Sequence, residues 1–287
     1  MRFHGGAASD AGARLPENDD VAFFGVDDEL ALAVLVDGMR GNLTTGRIPA
    51  ELALEVTRAA FARRFAVLAE TWWRGEHGEL PLPTVDRPAI AGHVRHLFTT
   101  RRVETPGDAA VLADGLGDLV CTSLAAANEA ISRRNQSPRH PYGIGGATVA
   151  AAIFAPGAVA IGHVGDVRVY RLRAGRLELL TREHTLATDH ALAMPHLTEA
   201  ELDELPRGVV TRALGMQETV KVDVARHAVE LGDAWLLLSR GVFDTLDADR
   251  IAATVDEHGA GAGAILVEQA RGEAMENVTA IVVTVGP

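Results

Sequence analysis

At 287 residues the chain can build one large domain, and a hydrophobic content of 47% with only 5% aromatics means that Ala, Val and Leu must fill most of its core. A formal net charge of −12 argues against nonspecific binding to nucleic acid or an anionic membrane, and it leaves clustered carboxylates free to attract cations. Cys121 is the sole cysteine, which excludes an intrachain disulfide and a cysteine-rich zinc centre and favours a reducing, cytoplasmic setting. No membrane span is expected: the longest apolar stretch, Ala147 to Val164, is broken by Pro156, Gly157, Gly162 and His163. The segment Met1-Arg2-Phe3-His4-Gly5-Gly6 lacks the apolar centre of a signal peptide.

In chain order, Val21 to Val26 and Leu30 to Val36 predict two strands around the turn Asp27-Asp28-Glu29. The second is almost wholly apolar, as for a strand covered on both faces, and Asp37-Gly38 is expected to break it. A helix is predicted from about Pro49 to Glu70, with Leu52, Val56, Ala59, Ala60 and Phe61 as its apolar stripe. Residues 71 to 107 change character. Trp72-Trp73, Gly75, Gly78, Pro81, Pro83, Pro88 and Pro106 predict an irregular insertion, a candidate surface for a protein partner. His93 and His96 within it share a helical spacing, but with no further ligand nearby a solvated face is the better reading. A second long helix is expected from Asp108 to Arg134, ended by Pro138 and Pro141.

The second half reads as strands at Ala147–Phe154, Ala158–His163, Arg168–Arg173, Arg176–Leu179, Val220–Val229 and Ala234–Leu238, with Ala174-Gly175 as a hairpin turn. Helices follow near Ala248–Glu257 and Ala262–Arg271, then a last strand at Val278–Val285. Strands, helices, more strands, more helices and a final strand predict two sheets with helices outside, in one domain spanning residues 1–287.

Six segments recur in order: Asp37-Gly38-Met39, Gly145-Gly146-Ala147-Thr148, Val164-Gly165-Asp166-Val167-Arg168, Leu180-Thr181-Arg182-Glu183-His184, Thr211-Arg212-Ala213-Leu214-Gly215, and Gly232-Asp233 leading to Ser239. With Glu276-Asn277-Val278-Thr279 they resemble the metal-dependent protein phosphatases of the protein phosphatase 2C group. The resemblance covers nearly the whole chain except residues 71 to 107. It implies an α+β fold, a four-layer α-β-β-α sandwich of two antiparallel sheets. It also implies hydrolysis of phosphomonoesters by water activated between two bridged Mg²⁺ or Mn²⁺ ions.

By that resemblance Asp37 is the bridging carboxylate and Gly38 lends its carbonyl to one ion; alone, an Asp-Gly at a strand end is a turn. Asn18-Asp19-Asp20 matches the family's Asn-Glu-Asp. The upstream phosphate-binding arginine would be Arg14, one residue out of register. An ungapped match then selects Asp19, whereas the Asn18 register selects Asp20, which is preferred. Asp166 matches an aspartate that helps hold an additional, looser ion, or it is simply a turn residue. Glu276 stands where the family has an aspartate ligand and keeps its charge.

Arg240, in Ser239-Arg240-Gly241, replaces another aspartate ligand. A guanidinium has five donors and no acceptor, so it cannot ligate a cation. It is expected to fork onto Asp37 and Glu276 in the ion's place, or else to point into solvent. Residues 185 to 210, after His184, correspond to a flap. Three functions follow: a metal-dependent serine/threonine phosphatase with a weakened second ion site, a catalytically inactive pseudophosphatase that binds or regulates, or a phosphatase of a small phosphorylated molecule.

Overall fold

Every second residue of the apolar run Ala31–Val36 belongs to a different core. Leu32, Val34 and Val36 pack with Leu119, Leu124 and Val149, whereas Ala31, Ala33 and Leu35 pack with Phe154, Trp235 and Ile281. This two-sided burial follows from the period of two along a strand. A third core joins Leu236, Leu238 and Val282 to Ile251 and Leu266. Three cores between four layers make the sandwich α-β-β-α.

The computed structural model describes residues 1–27, 30–41, 44–77, 106–140, 142–196, 198, 201, 205–206 and 208–287, with side chains left out at 27, 64–77 and 106–113. The elements are β1 (Arg2–Asp10), β2 (Val21–Asp27), β3 (Leu30–Arg40), α1 (Arg47–His77), α2 (Pro106–Asn135), β4 (Gly145–Ala155), β5 (Ala158–Val164), β6 (Arg168–Arg173), β7 (Arg176–Leu179), α3 (Leu186–Ala193), β8 (Asp223–Ala228), β9 (Ala234–Leu238), α4 (Arg240–Phe243), α5 (Ala248–His258), α6 (Ala262–Ala270) and β10 (Val278–Gly286). One antiparallel sheet has the order β1-β10-β9-β6-β7 and the other β2-β3-β4-β5-β8. Helices α1 and α2 cover the second sheet, and α5 and α6 cover the first. The hairpin at Ala174-Gly175 forms with φ of 50° and 73°, the left-handed pair that a two-residue turn requires.

The structure departs from the sequence reading at three places. Strand β1 was not expected, because Gly5, Gly6, Ala7 and Ala8 carry little strand propensity. It forms by pairing along its whole length with β10, and Gly5 is needed there because a Cβ would lie 2.6 Å from Val282 O. Asp37-Gly38 does not break β3: Asp37 stays paired with Thr148 and Gly38 with Ala147. Helix α1 runs to His77, through Trp72-Trp73, where an irregular segment was expected. Residues 78–105 lie outside the described residues, and with them His93, His96 and the candidate partner surface.

Gly38 fixes the approach of β3 to the start of α1. A Cβ on Gly38 would lie 2.1 Å from Gly46 O and 2.7 Å from Asp19 O, both backbone atoms that cannot rotate away. Gly38→Ala is therefore expected to destabilise the protein by roughly 1–3 kcal/mol, measured as a lower urea midpoint with an unchanged slope. An unaltered midpoint would mean that this approach relaxes freely.

Candidate active site

The same alternation that builds the cores carries polar residues to one end of the inter-sheet layer. Asp37 has the strand parity of Leu35, Thr148 that of Ala150, Ser239 that of Leu237, and Thr279 that of Ile281. Asp20, next to Val21 at the start of β2, falls on the same inner face. So Asp20, Asp37, Thr148, Ser239 and Thr279 close the layer with polar groups where the strands run out.

Asp20 is only 1% exposed, and neither of its carboxylate oxygens has a hydrogen-bond partner. Burial pushes its pKa up to about 6, with Asp166 adding to the rise. The hydroxyls of Thr279 and Ser239 and the carboxyl of Asp37 approach it and pull the other way, although both hydroxyls are committed elsewhere. Ser239 Oγ donates to Asn277 O (3.1 Å) and accepts from Thr279 N (2.8 Å), and Thr279 Oγ1 pairs with Ser9 Oγ (2.6 Å). Asp37 retains some accessible surface yet lies deep in the protein. Burial raises its pKa well above the carboxylate range, and the charges of Asp20, Asp166 and Glu276 raise it further. Asp20 and Asp37 thus sit opposite each other across β2 and β3, and the charges of Asp166 and Glu276 act on Asp37 from beyond that pair.

Asp19 faces the other way. Its Oδ1 accepts the backbone N–H of Arg47 (3.1 Å) at the start of α1, and its Oδ2 accepts from Arg40 Nε (2.9 Å). Arg47 Nη1 in turn donates to Asn18 O (3.2 Å) and Asp20 O (3.0 Å). Asn277 completes the frame: its Oδ1 accepts from Asp19 N (2.9 Å), and its Nδ2 donates to Ala11 O (2.9 Å) and Glu17 O (3.0 Å). Arg40, Arg47 and Asn277 are the positioning residues that sequence reasoning did not single out. Only the spacing of Asn277 within the Glu276-Asn277-Val278 segment hinted at one of them.

Arg240 neither points into solvent nor forks onto Asp37 and Glu276. It opens α4, directly after the buried Ser239, and its Nη2 donates to Asp166 Oδ2 at 2.5 Å, with side-chain exposures of 14% and 6%. Its Nη1 lies 3.9 Å from the exposed Asp244. Gly208, in the flap, packs on the guanidinium so closely that a Cβ there would meet Nη1 at 2.6 Å. Arg14 is exposed on the loop before β2, and Glu276 is exposed at the rim.

The flap is pinned at its base. His184 N donates to Gly165 O and Thr211 N to His184 O, each at 2.9 Å, while Leu186 N donates to Val209 O (2.9 Å). His184 Nδ1 accepts the Gly165 N–H (2.9 Å), and its Nε2 lies 3.2 Å from Asp223 Oδ2 and 2.8 Å from Arg212 Nη1. His163 stacks on His184 with ring centroids 4.8 Å apart and bonds Arg182 O through Nε2 (2.9 Å). His163, His184 and Asp223 bring their ligand atoms within 4.8 Å of one another. Arg212 Nη1, however, donates to Asp223 Oδ1 at 2.8 Å, so a guanidinium already serves this cluster. Burial lowers the pKa of both imidazoles, which favours their neutral forms. The group is a clasp for the flap.

The donor chemistry of the inter-sheet end fits a hard divalent cation. Two buried oxygens without partners, next to a second carboxylate, are what Mg²⁺ or Mn²⁺ takes. The comparisons agree on the class. The family model for protein phosphatase 2C matches residues 8–246, and the chain belongs to that family. It is 30% identical over 175 residues to the serine/threonine protein phosphatase PstP of Mycobacterium tuberculosis, a match covering 59% of this chain and 34% of that one. The chain thus spans about a third of that relative. The crystal structure of the M. tuberculosis phosphatase PstP/Ppp superposes with a TM-score of 0.72 at 22% identity, covering 100% of both chains. A PstP catalytic domain in complex with two manganese ions gives 0.66 at 22%, covering 100% of this chain and 99% of that one. No helix among the described residues is long and apolar enough to cross a membrane.

Asp19 and Asp20 are expected to respond oppositely to removal of their charge. Asp20→Asn should stabilise the metal-free protein at pH 7 by about 1–3 kcal/mol, because an ionised, unpartnered carboxylate is no longer buried. The sign follows from a folded pKa of about 6, above the 3.8 of an unburied aspartate. The cost of Asp20 is complete above about pH 6, shrinks as pH falls between those values, and is absent below them. Asp19→Ala should instead cost about 1–3 kcal/mol, through the lost helix cap and the unpaired Arg40. Thermal melts in EDTA from pH 4 to 8 measure both. A destabilised Asp20→Asn would show that the carboxylate is satisfied in the folded protein.

Proposed function

We propose that the chain is a metal-dependent phosphatase acting on phosphoserine or phosphothreonine in proteins, with Mg²⁺ or Mn²⁺ held by Asp20 and Asp37. The observation that carries this reading is the buried, unpartnered Asp20 carboxylate beside Asp37, within a member of the protein phosphatase 2C family. The two manganese ions named for the PstP catalytic domain support the choice of metal.

A divalent ion there supplies a bound water of lowered pKa and positive charge for the phosphoryl oxygens. The chain's residues do the rest. Asp37 provides oxygens from within paired β3 and Asp20 from the residue before β2, and Gly38 lets β3 pack closely against Gly46 beside them. Glu276 adds negative charge from the rim. Asp19 and Asn277 are positioning groups that hold the Asp20 backbone. Arg14, exposed on the loop before β2, is the candidate side chain for an incoming phosphate. The apolar inter-sheet core behind Asp37 keeps bulk water from the back of the site.

Turnover of p-nitrophenyl phosphate and of a phosphothreonine peptide, followed across Mn²⁺ concentrations, tests the proposal. Metal-dependent turnover of the peptide is expected, falling at least about a hundredfold in Asp37→Ala. Activity unchanged in Asp37→Ala would remove the site assignment. Turnover of the small ester alone would move the substrate to a small phosphorylated molecule. Metal binding without turnover of either would make the chain a binding module.

A further inference from the structure

We infer that the Arg240 guanidinium is the resident cation of the Asp166 side of the acidic centre, so that the chain binds a single divalent ion, on Asp20 and Asp37. The inference rests on the metal-site reading above and adds the number of ions and the residue that sets it.

Between the Asp20–Asp37 pair and Asp166, the structure separates two kinds of carboxylate. Asp20 is buried with both oxygens unpartnered, and it sits opposite Asp37 across the β2–β3 pair. Asp166 is equally buried but already holds a counter-charge, Arg240 Nη2 at 2.5 Å from its Oδ2. The guanidinium charge is permanent, and a guanidinium offers no lone pair to a metal. An ion seated on Asp166 would have to displace it or lie beside it, at a separation where like charges repel strongly in a partly desolvated site.

Displacement is opposed from the other side. Gly208 of the flap lies against Nη1, and Asp244 offers only an exposed, distant alternative at 3.9 Å.

Mn²⁺ alone is the probe. Equilibrium dialysis and calorimetry on the whole chain should count one ion, with the six-line electron paramagnetic resonance spectrum of an isolated Mn²⁺. Arg240→Asp should double the count and broaden the spectrum by coupling between neighbouring ions. Arg240→Gln, which frees Asp166 without adding a carboxylate and should disturb folding less, should admit a second, weaker ion. Two ions in the unaltered protein would overturn this inference while leaving the metal site standing. A count fixed at one in both variants would overturn the role of Arg240. No Mn²⁺ bound at all would overturn the inference together with the metal-site reading beneath it.

Discussion

Two carboxylates forced together out of water, with no hydrogen bond to satisfy the more buried one, form the constraint on which the rest of this structure depends. Such a group costs free energy in a folded protein unless something positive arrives to pair with it. Nothing in the strand geometry lets it escape. Asp20 and Asp37 fall on the inner faces of β2 and β3 by the same alternation that buries Leu35 between the sheets, and Gly38 is clamped against Gly46 by backbone contact. Strain of this kind persists only where the surroundings over-determine it.

Those surroundings can be named. Asn277 ties the loop from Ala11 to Asp19 to the start of β10, Asp19 caps α1, and Arg47 reaches back to the carbonyls of Asn18 and Asp20. Each bond is modest, about 1 kcal/mol net, but together they leave the Asp20 backbone a single position. On the opposite side, Arg240 ties Asp166 to the flap through Gly208, and the His163–His184 stack ties the flap base to Gly165, next to Asp166. The acidic centre is thus framed on one side by the Asn277, Asp19 and Arg47 hydrogen bonds around Asp20 and on the other by the Arg240–Asp166 ion pair. That asymmetry is why the two sides are assigned different cations.

Much of the fold was legible because strands buried on both faces leave a plain apolar run. Leu30–Val36, Ala147–Phe154 and Ala234–Leu238 announce themselves, and the six ordered segments fix the sheet pattern around them. Strand β1 was not legible, since Gly5 and Gly6 favour no strand and only β10 makes one of them. Asp37-Gly38 looked like a strand end because the dipeptide is a turn former in isolation, whereas pairing with Thr148 and Ala147 overrides that preference. Within the proposed site, the segments left two adjacent aspartates open. What separates them is the orientation imposed by Asn277 and Arg47, which lie 258 and 28 residues away from Asp19. The partner of Arg240 was misjudged for the same reason: Asp166 is 74 residues distant, and no local pattern connects them.

A crystal grown with Mn²⁺ and measured for its anomalous scattering tests the central claim most directly. The account predicts a single strong peak in ligating contact with Asp20 and Asp37, with Arg240 still bonded to Asp166. An Asp20 carboxylate that stays free of metal, or a peak on Asp166 with Arg240 swung away, would contradict it.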